Sequence, residues 1–211
     1  MITWFKNEFA YEEVLEAKKQ GISAEEVMNS LLAQSPAGSM GLVVQPYWSP
    51  GLKHPSAKGA IIGFGDVHRK SHMYRAVVEG LAYALLDGLQ TMQKRGRFLV
   101  EKLAVSGGAS QSDEICQISA DVFNLPLVRG STYESCGLGA AIVTTVGLRL
   151  HTSFESAIGN MVRYERVFEP DQKNVAIYKQ LYRRVYQKMY CSLESLYQEI
   201  RDITGYPEKA E

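Results

Sequence analysis

LAVSGGASQSD, residues Leu103 to Asp113, sets an apolar run against two adjacent glycines and a cluster of short polar residues. Leu103 to Val105 read as a strand, and Ser112 is a good N-cap for the helix SDEICQISADVF that follows. The stretch is therefore a strand–turn–helix unit. Two readings of Gly107 and Gly108 are open: they shape a tight turn, or they clear room for a ligand against the backbone. Such a turn offers free backbone N–H groups and the positive end of a helix dipole, which suit a phosphate or the ribose edge of a nucleotide. The spacing is neither GxGxxG nor GxxxxGK[ST], so on local grounds a plain structural turn is the simpler reading.

The same alternation extends to both sides. GLVVQPYW (Gly41–Trp48) reads as a strand running into a turn at Pro46, GAIIGF (Gly59–Phe64) as a second strand and LPLVRG as a short one. Lys70 to about Arg95 reads as a helix, with Met73, Val77, Leu81, Leu85, Leu89 and Met92 at helical spacing. Its Ala76, Gly80 and Ala84 form a small-residue stripe that would let another element pack closely. ESCGLGAAIVTTVGL, from Glu134, is a helix whose Gly137, Gly139, Ala140 and Ala141 would let it lie flat on the sheet or line a ligand cleft. A last long helix, Asp171 to Ile203, puts Ile177, Leu181, Val185, Met189, Leu193, Leu196, Ile200 and Ile203 on one face. Strand and helix alternate through the middle, which argues for α/β.

The first forty residues differ. YEEVLEAKKQG reads as a helix capped by Gly21, and Ser23 with Glu26 forms a capping box before the next one. SPAGSMG (Ser35–Gly41) reads as a linker or long loop. Residues 1–40 are thus a helical lead-in belonging to the same domain, and residues 41–211 form its body.

Composition excludes several classes. Lys plus Arg equals Asp plus Glu at 23 each, so charge gives no reason to expect nucleic acid or an anionic membrane as partner. The apolar runs are too short to span a bilayer, and the N-terminus lacks a signal-peptide pattern, so a cytoplasmic protein is expected. Cys116, Cys136 and Cys191 have no CxxC spacing and no zinc-like pairing with His54, His68, His72 or His151, and read as buried free thiols. Asp66, Asp113 and Asp121 are thin candidates for a base, Asp113 in a first helical turn and Asp121 on an exposed face. His72 and Arg75 read as a helix-surface pair, and the tyrosines of the last helix as a packing edge.

The order of the pieces says more than any one of them. PYWSPG (Pro46–Gly51), GAIIGFGDVHRKSHMYRAVVEG (Gly59–Gly80), SGGASQSDEICQISADVFNLPL and ESCGLGAAIVTTVGL together resemble the C-terminal half of the FGGY carbohydrate kinases. The second segment carries Gly59, Ile61, Gly63, His72, Met73, Ala76, Val77, Val78 and Glu79 of that family's signature pattern. The resemblance implies an actin-like, ribonuclease-H-like ATPase domain: a mixed sheet flanked by helices, with a helical N-terminal segment and a long C-terminal helix. It implies ATP and Mg as cofactors, with Gly107, Gly108 and Ala109 beside adenosine, Ser112 near adenine, and Gly63 and Gly65 in a loop bordering the phosphates. It assigns no catalytic or metal-binding residue to this chain. Its departures are Phe64 for an aliphatic residue, Gly65 for a common threonine and Ser106 for the first glycine of the GGGA loop. It further implies an N-terminal kinase domain as partner, carrying the sugar or polyol substrate and the catalytic aspartate, without which turnover is expected to be slight. Surface that this partner covers is expected to favour self-association into a homo-oligomer. A stand-alone, non-catalytic nucleotide-binding or regulatory module on the same fold is the alternative.

Overall fold

The computed structural model describes residues 1–48 and 57–206; the end of the PYWSPG segment and His54 lie outside the described residues. Three short helices open the chain: α1 (Ile2–Phe9), α2 (Tyr11–Gln20) and α3 (Ala24–Ala33). Gly21 ends α2 in the left-handed region, at φ 68°. Ser23 caps α3 by accepting from the Glu26 N–H at 3.2 Å, and its hydroxyl donates to the Glu26 carboxylate.

β1 (Val43–Gln45) pairs antiparallel with β2 (Ala60–Ile62), Val44 opposite Ile61. The helix α4 (Lys70–Gly96) crosses β1 and packs on α1, α3 and the later helix α5 (Asp113–Phe123). The small-residue stripe serves the close approach expected of it: a Cβ on Gly80 would lie 2.5 Å from the Val44 carbonyl oxygen. Next to it, Glu79 is 2% exposed.

A carboxylate so buried requires partners. Glu79 accepts from the Gly38 N–H, the Ser39 hydroxyl, Arg75 Nε and the Tyr178 hydroxyl, all at 2.9–3.0 Å. Two expectations are corrected here. Arg75 is not half of a surface pair with His72; it turns inward to Glu79, the Leu32 carbonyl and Tyr178, whereas His72 accepts from the Arg69 N–H. Of the two readings of Ser35–Gly41 the loop stands and the linker does not: Ser35 and Ser39 are buried, and Ser39 and Met40 take left-handed φ values of 49° and 56° in a turn held by Glu79.

The main sheet is mixed. β3 (Leu103–Val105) runs parallel to β4 (Leu127–Gly130), with α5 between them in sequence, and β5 (Tyr164–Phe168) pairs antiparallel on the far side of β4. Leu103, Leu127 and Phe168 pack with Cys116 and Ala120 of α5. Asp121, expected on an exposed face, is 1% exposed and accepts from Gln117, the Asp171 N–H and Asn174. It ties α5 to the first turn of α8 (Gln172–Leu181), and burying that carboxylate is offset by these donors.

Between β4 and β5 lie α6 (Ser135–Gly147) and α7 (Phe154–Met161). The small face of α6 does not lie flat on the sheet: Gly137, Gly139, Ala140 and Ala141 are exposed, and a Cβ on either glycine would meet nothing within 4 Å. After α8 a π-helical turn, Tyr182–Tyr186, precedes α9 (Gln187–Thr204). The last helix is therefore not one continuous face of aliphatic residues. Ile177, Leu196, Ile200 and Ile203 are exposed, whereas Tyr178, Tyr182, Tyr186 and Tyr197 are buried. The π turn shifts the helical phase, and the buried hydroxyls of Tyr178, Tyr182 and Tyr197 meet Glu79, Asp87 and Gln45. On α4, Leu85 and Met92 of the expected apolar face are likewise exposed. Of the three thiols only Cys116 is buried; Cys136 and Cys191 are exposed. No described helix is long and apolar enough to cross a membrane.

Candidate functional site

The opening stretch forms its site one residue at a time. β3 ends at Val105, and Gly107 turns the chain at φ 87°, ψ −179°, a conformation open essentially to glycine. Gly108–Gln111 then make a single 3-10 turn, closed by Ser110 N–H to the Gly107 carbonyl at 3.1 Å. The Ser110 hydroxyl donates to the same carbonyl at 2.6 Å. Ser112 caps α5 by accepting from the Ile115 N–H at 3.1 Å, and its hydroxyl reaches Glu114. Ser106 is tied to the ESCGLGAA helix, its hydroxyl 3.0 Å from that of Ser135.

Gly108 separates the two readings of the glycine pair. Its φ is not left-handed, and a Cβ there would meet nothing within 4 Å. Turn geometry explains Gly107; neither conformation nor packing demands a glycine at Gly108. What it leaves is open space over the backbone.

That space belongs to a cavity of about 380 Å³. Gly108, Ala109, Gln111 and Ser112 line one side. Ile2 and Thr3 of α1, the start of α3 at Ser23, Glu26 and Asn29, and Tyr74 of α4 line the other. The volume lies in the range that holds small molecules. Ile2, Tyr74 and Ile115 offer apolar surface, while Thr3, Asn29 and Ser112 offer hydroxyl and amide groups, a mixture suited to a flat heteroaromatic base with a polar rim. Glu25, which also lines the cavity, is held below the usual carboxylate range by its hydrogen bond to Lys6, 2.7 Å away. Burial, reinforced by the Glu25 charge, pushes the Tyr74 hydroxyl up to about 12, so it stays a neutral donor.

The structure brings Gly108, Ala109 and Ser112 together on this cavity, with Gly107 as the pivot before them. Gly63 and Gly65 are not among its lining residues. They lie in the exposed loop between β2 and α4, where Gly63 has φ 95° and presses on the Gly41 carbonyl: a Cβ there would be 2.3 Å from that oxygen. The Gly65 N–H donates to His68 Nδ1 at 2.8 Å. Thr3, Ser23, Asn29 and Tyr74 also line this cavity, a placement that sequence reasoning did not give them. No local signal marks them, because they come from three helices distant in sequence and acquire a role only by converging. Among the described residues no group of three or more His, Cys, Asp or Glu side chains could hold a metal ion.

Residues 1–148 match the model of the FGGY family of carbohydrate kinases, C-terminal domain. A xylulose kinase from Staphylococcus epidermidis is 32% identical over 208 residues, 97% of this chain and 39% of that protein. A glycerol kinase from Herminiimonas arsenicoxydans is 37% identical over 125 residues, 59% of this chain and 24% of that protein. The crystal structure of xylulose kinase from Rhodospirillum rubrum shares the fold with a TM-score of 0.76 at 26% identity, covering 93% of this chain and 38% of that one. The α/β fold is the actin-like ATPase fold of these kinases, and the chain spans about two fifths of the length of the relatives that match nearly all of it. The family model, covering well over half of the chain, and the shared fold together place this protein in the FGGY family of carbohydrate kinases, as its C-terminal domain.

Proposed function

We propose that this chain is the nucleotide-binding half of an ATP-dependent carbohydrate kinase, which moves the γ-phosphate of ATP to a hydroxyl of a sugar or polyol. The observation that carries this reading is Gly108, open on a 380 Å³ cavity that Ala109, Ser112, Thr3 and Asn29 share. Adenosine fits the volume and the mixed lining. Gly107 supplies the bend, and Gly108 and Ala109 let the ligand approach the backbone. The Ser112 hydroxyl, already a cap, sits at the polar rim for a base or ribose contact. Gly63 and Gly65, outside the cavity, border the phosphates in this reading.

Phosphoryl transfer requires both substrates and the metal in line. Sugar binding and the proton-accepting carboxylate therefore fall to a partner N-terminal domain, and a sugar or polyol substrate is supported by relatives named xylulose kinase, glycerol kinase and gluconokinase. Mg²⁺ is bound chiefly through phosphates in such chemistry, and the residues described here do not by themselves supply a cage for it. A cytoplasmic setting belongs to the same reading.

Titration of the chain with ADP or ATP, followed through backbone amide resonances, tests the site. Shifts are expected at Thr3, Asn29, Gly108, Ala109 and Ser112. Shifts confined to other residues would overturn it. With the sugar-binding domain joined, a screen against pentuloses, hexonates and polyols identifies the acceptor.

A further inference from the structure

Side-chain packing does not wedge the glycines of the cavity loop. Gly107 is its pivot, Gly108 follows it, and a Cβ on either would touch nothing within 4 Å. Something else must fix it. From within the sheet, Arg129 of β4 stands opposite Val105 of β3, the strand that leads into the loop. Its Nη1 donates to the Ser110 carbonyl at 3.2 Å and to Asp113 Oδ1 at 2.7 Å. One guanidinium thereby joins the middle of the 3-10 turn to the first residue of α5. The side chain is 13% exposed, its guanidinium stacks 5.5 Å from the Phe168 ring centre, and Glu165 lies 3.5 Å from Nη2. Arg166 engages the other oxygen of Asp113. The Ser110 carbonyl also accepts from the Cys116 thiol, at 3.3 Å, and the Tyr133 carbonyl accepts from the Gly107 N–H.

We propose that Arg129 is a positioning residue for the nucleotide: through the Ser110 carbonyl and Asp113 it holds Gly108, Ala109 and Ser112 at the distance an adenosine requires. This rests on the reading of the cavity as the nucleotide site. Arg129 does not line that cavity. The guanidinium matters as a packed plane: a single Nη1 meets both acceptors while the group lies over Phe168 and beside Glu165, a seating that a lysine ammonium does not reproduce.

Adenosine binding to the 211-residue chain, followed by amide resonances, tests the assignment. In Arg129→Gln the adenosine Kd is expected to rise about tenfold, as ligand contacts lose registry. The resonances of Gly107 to Ser112 should broaden or move even without ligand, a signature that a remote loss of stability would not confine to this loop. Arg129→Lys, which keeps the charge, should lose about threefold and restore those resonances in part. A folded Arg129→Gln protein with unchanged loop resonances, or with adenosine affinity within about twofold of the parent, would overturn the role. Should that variant not fold, Arg129→Lys is decisive: parental affinity and loop resonances sink the idea, and a weakened, shifted loop supports it. If the parent itself shows no adenosine shifts at Gly108, Ala109 or Ser112, the nucleotide reading fails, and the assignment with it. A parent that binds and variants that bind equally well remove only Arg129.

Discussion

Two neighbouring glycines do different work. Gly107 adopts a conformation that side chains rarely enter, so Gly107→Ala should cost about 1–3 kcal/mol of stability, read from urea unfolding. Gly108 has neither a left-handed φ nor a neighbour within 4 Å of a Cβ. Gly108→Val should therefore melt within about 2 °C of the parent. Its ADP affinity should fall at least tenfold, by roughly 1.4 kcal/mol or more, because the added methyls occupy the cavity. Unchanged ADP binding would return Gly108 to the status of a spacer.

At the scale of the element, α4 organises the site's surroundings with adjacent residues. Glu79 gathers the Gly38–Gly41 turn, and Gly80 admits the backbone of β1. Since the Val44 carbonyl that a Cβ on Gly80 would meet at 2.5 Å is part of a paired strand, it cannot give way cheaply. Gly80→Ala should lose about 1–3 kcal/mol, checked by denaturant unfolding, whereas Gly88→Ala on the same helix, facing open space, should be neutral or slightly stabilising. The stripe containing Gly80 was legible from its four-residue spacing. Its partner was not, because spacing shows that something packs closely without saying what. The same limit explains Asp121 and Arg75, whose charges look solvent-facing in sequence and are buried because distant donors and acceptors meet them.

Across the whole molecule the core is unusually phenolic. Tyr74, Tyr83, Tyr178, Tyr182 and Tyr186 are all buried, and burial pushes every one of their hydroxyls upward, Tyr74 to about 12. Unfolded tyrosines lose their proton near pH 10, whereas these hold theirs in the folded state. Their contribution to stability is thus present below that pH and is lost as pH rises toward and beyond about 12. Alkaline titration should show the exposed tyrosines ionising first, and a second rise in phenolate absorbance should coincide with loss of helical circular dichroism. A smooth titration with the fold intact would count against this core. The strands β1 to β4, the glycine turn, the caps at Ser23 and Ser112 and the kinase family were readable in the chain, because they depend on local backbone chemistry and on the order of motifs, whereas β5 was not read. The tyrosine face, the convergence of α1, α3 and α4 on Gly108, and the grip of Arg129 on Ser110 arise from contacts between residues far apart in sequence. Local propensity carries no information about which distant groups will meet, so only tertiary packing decided them.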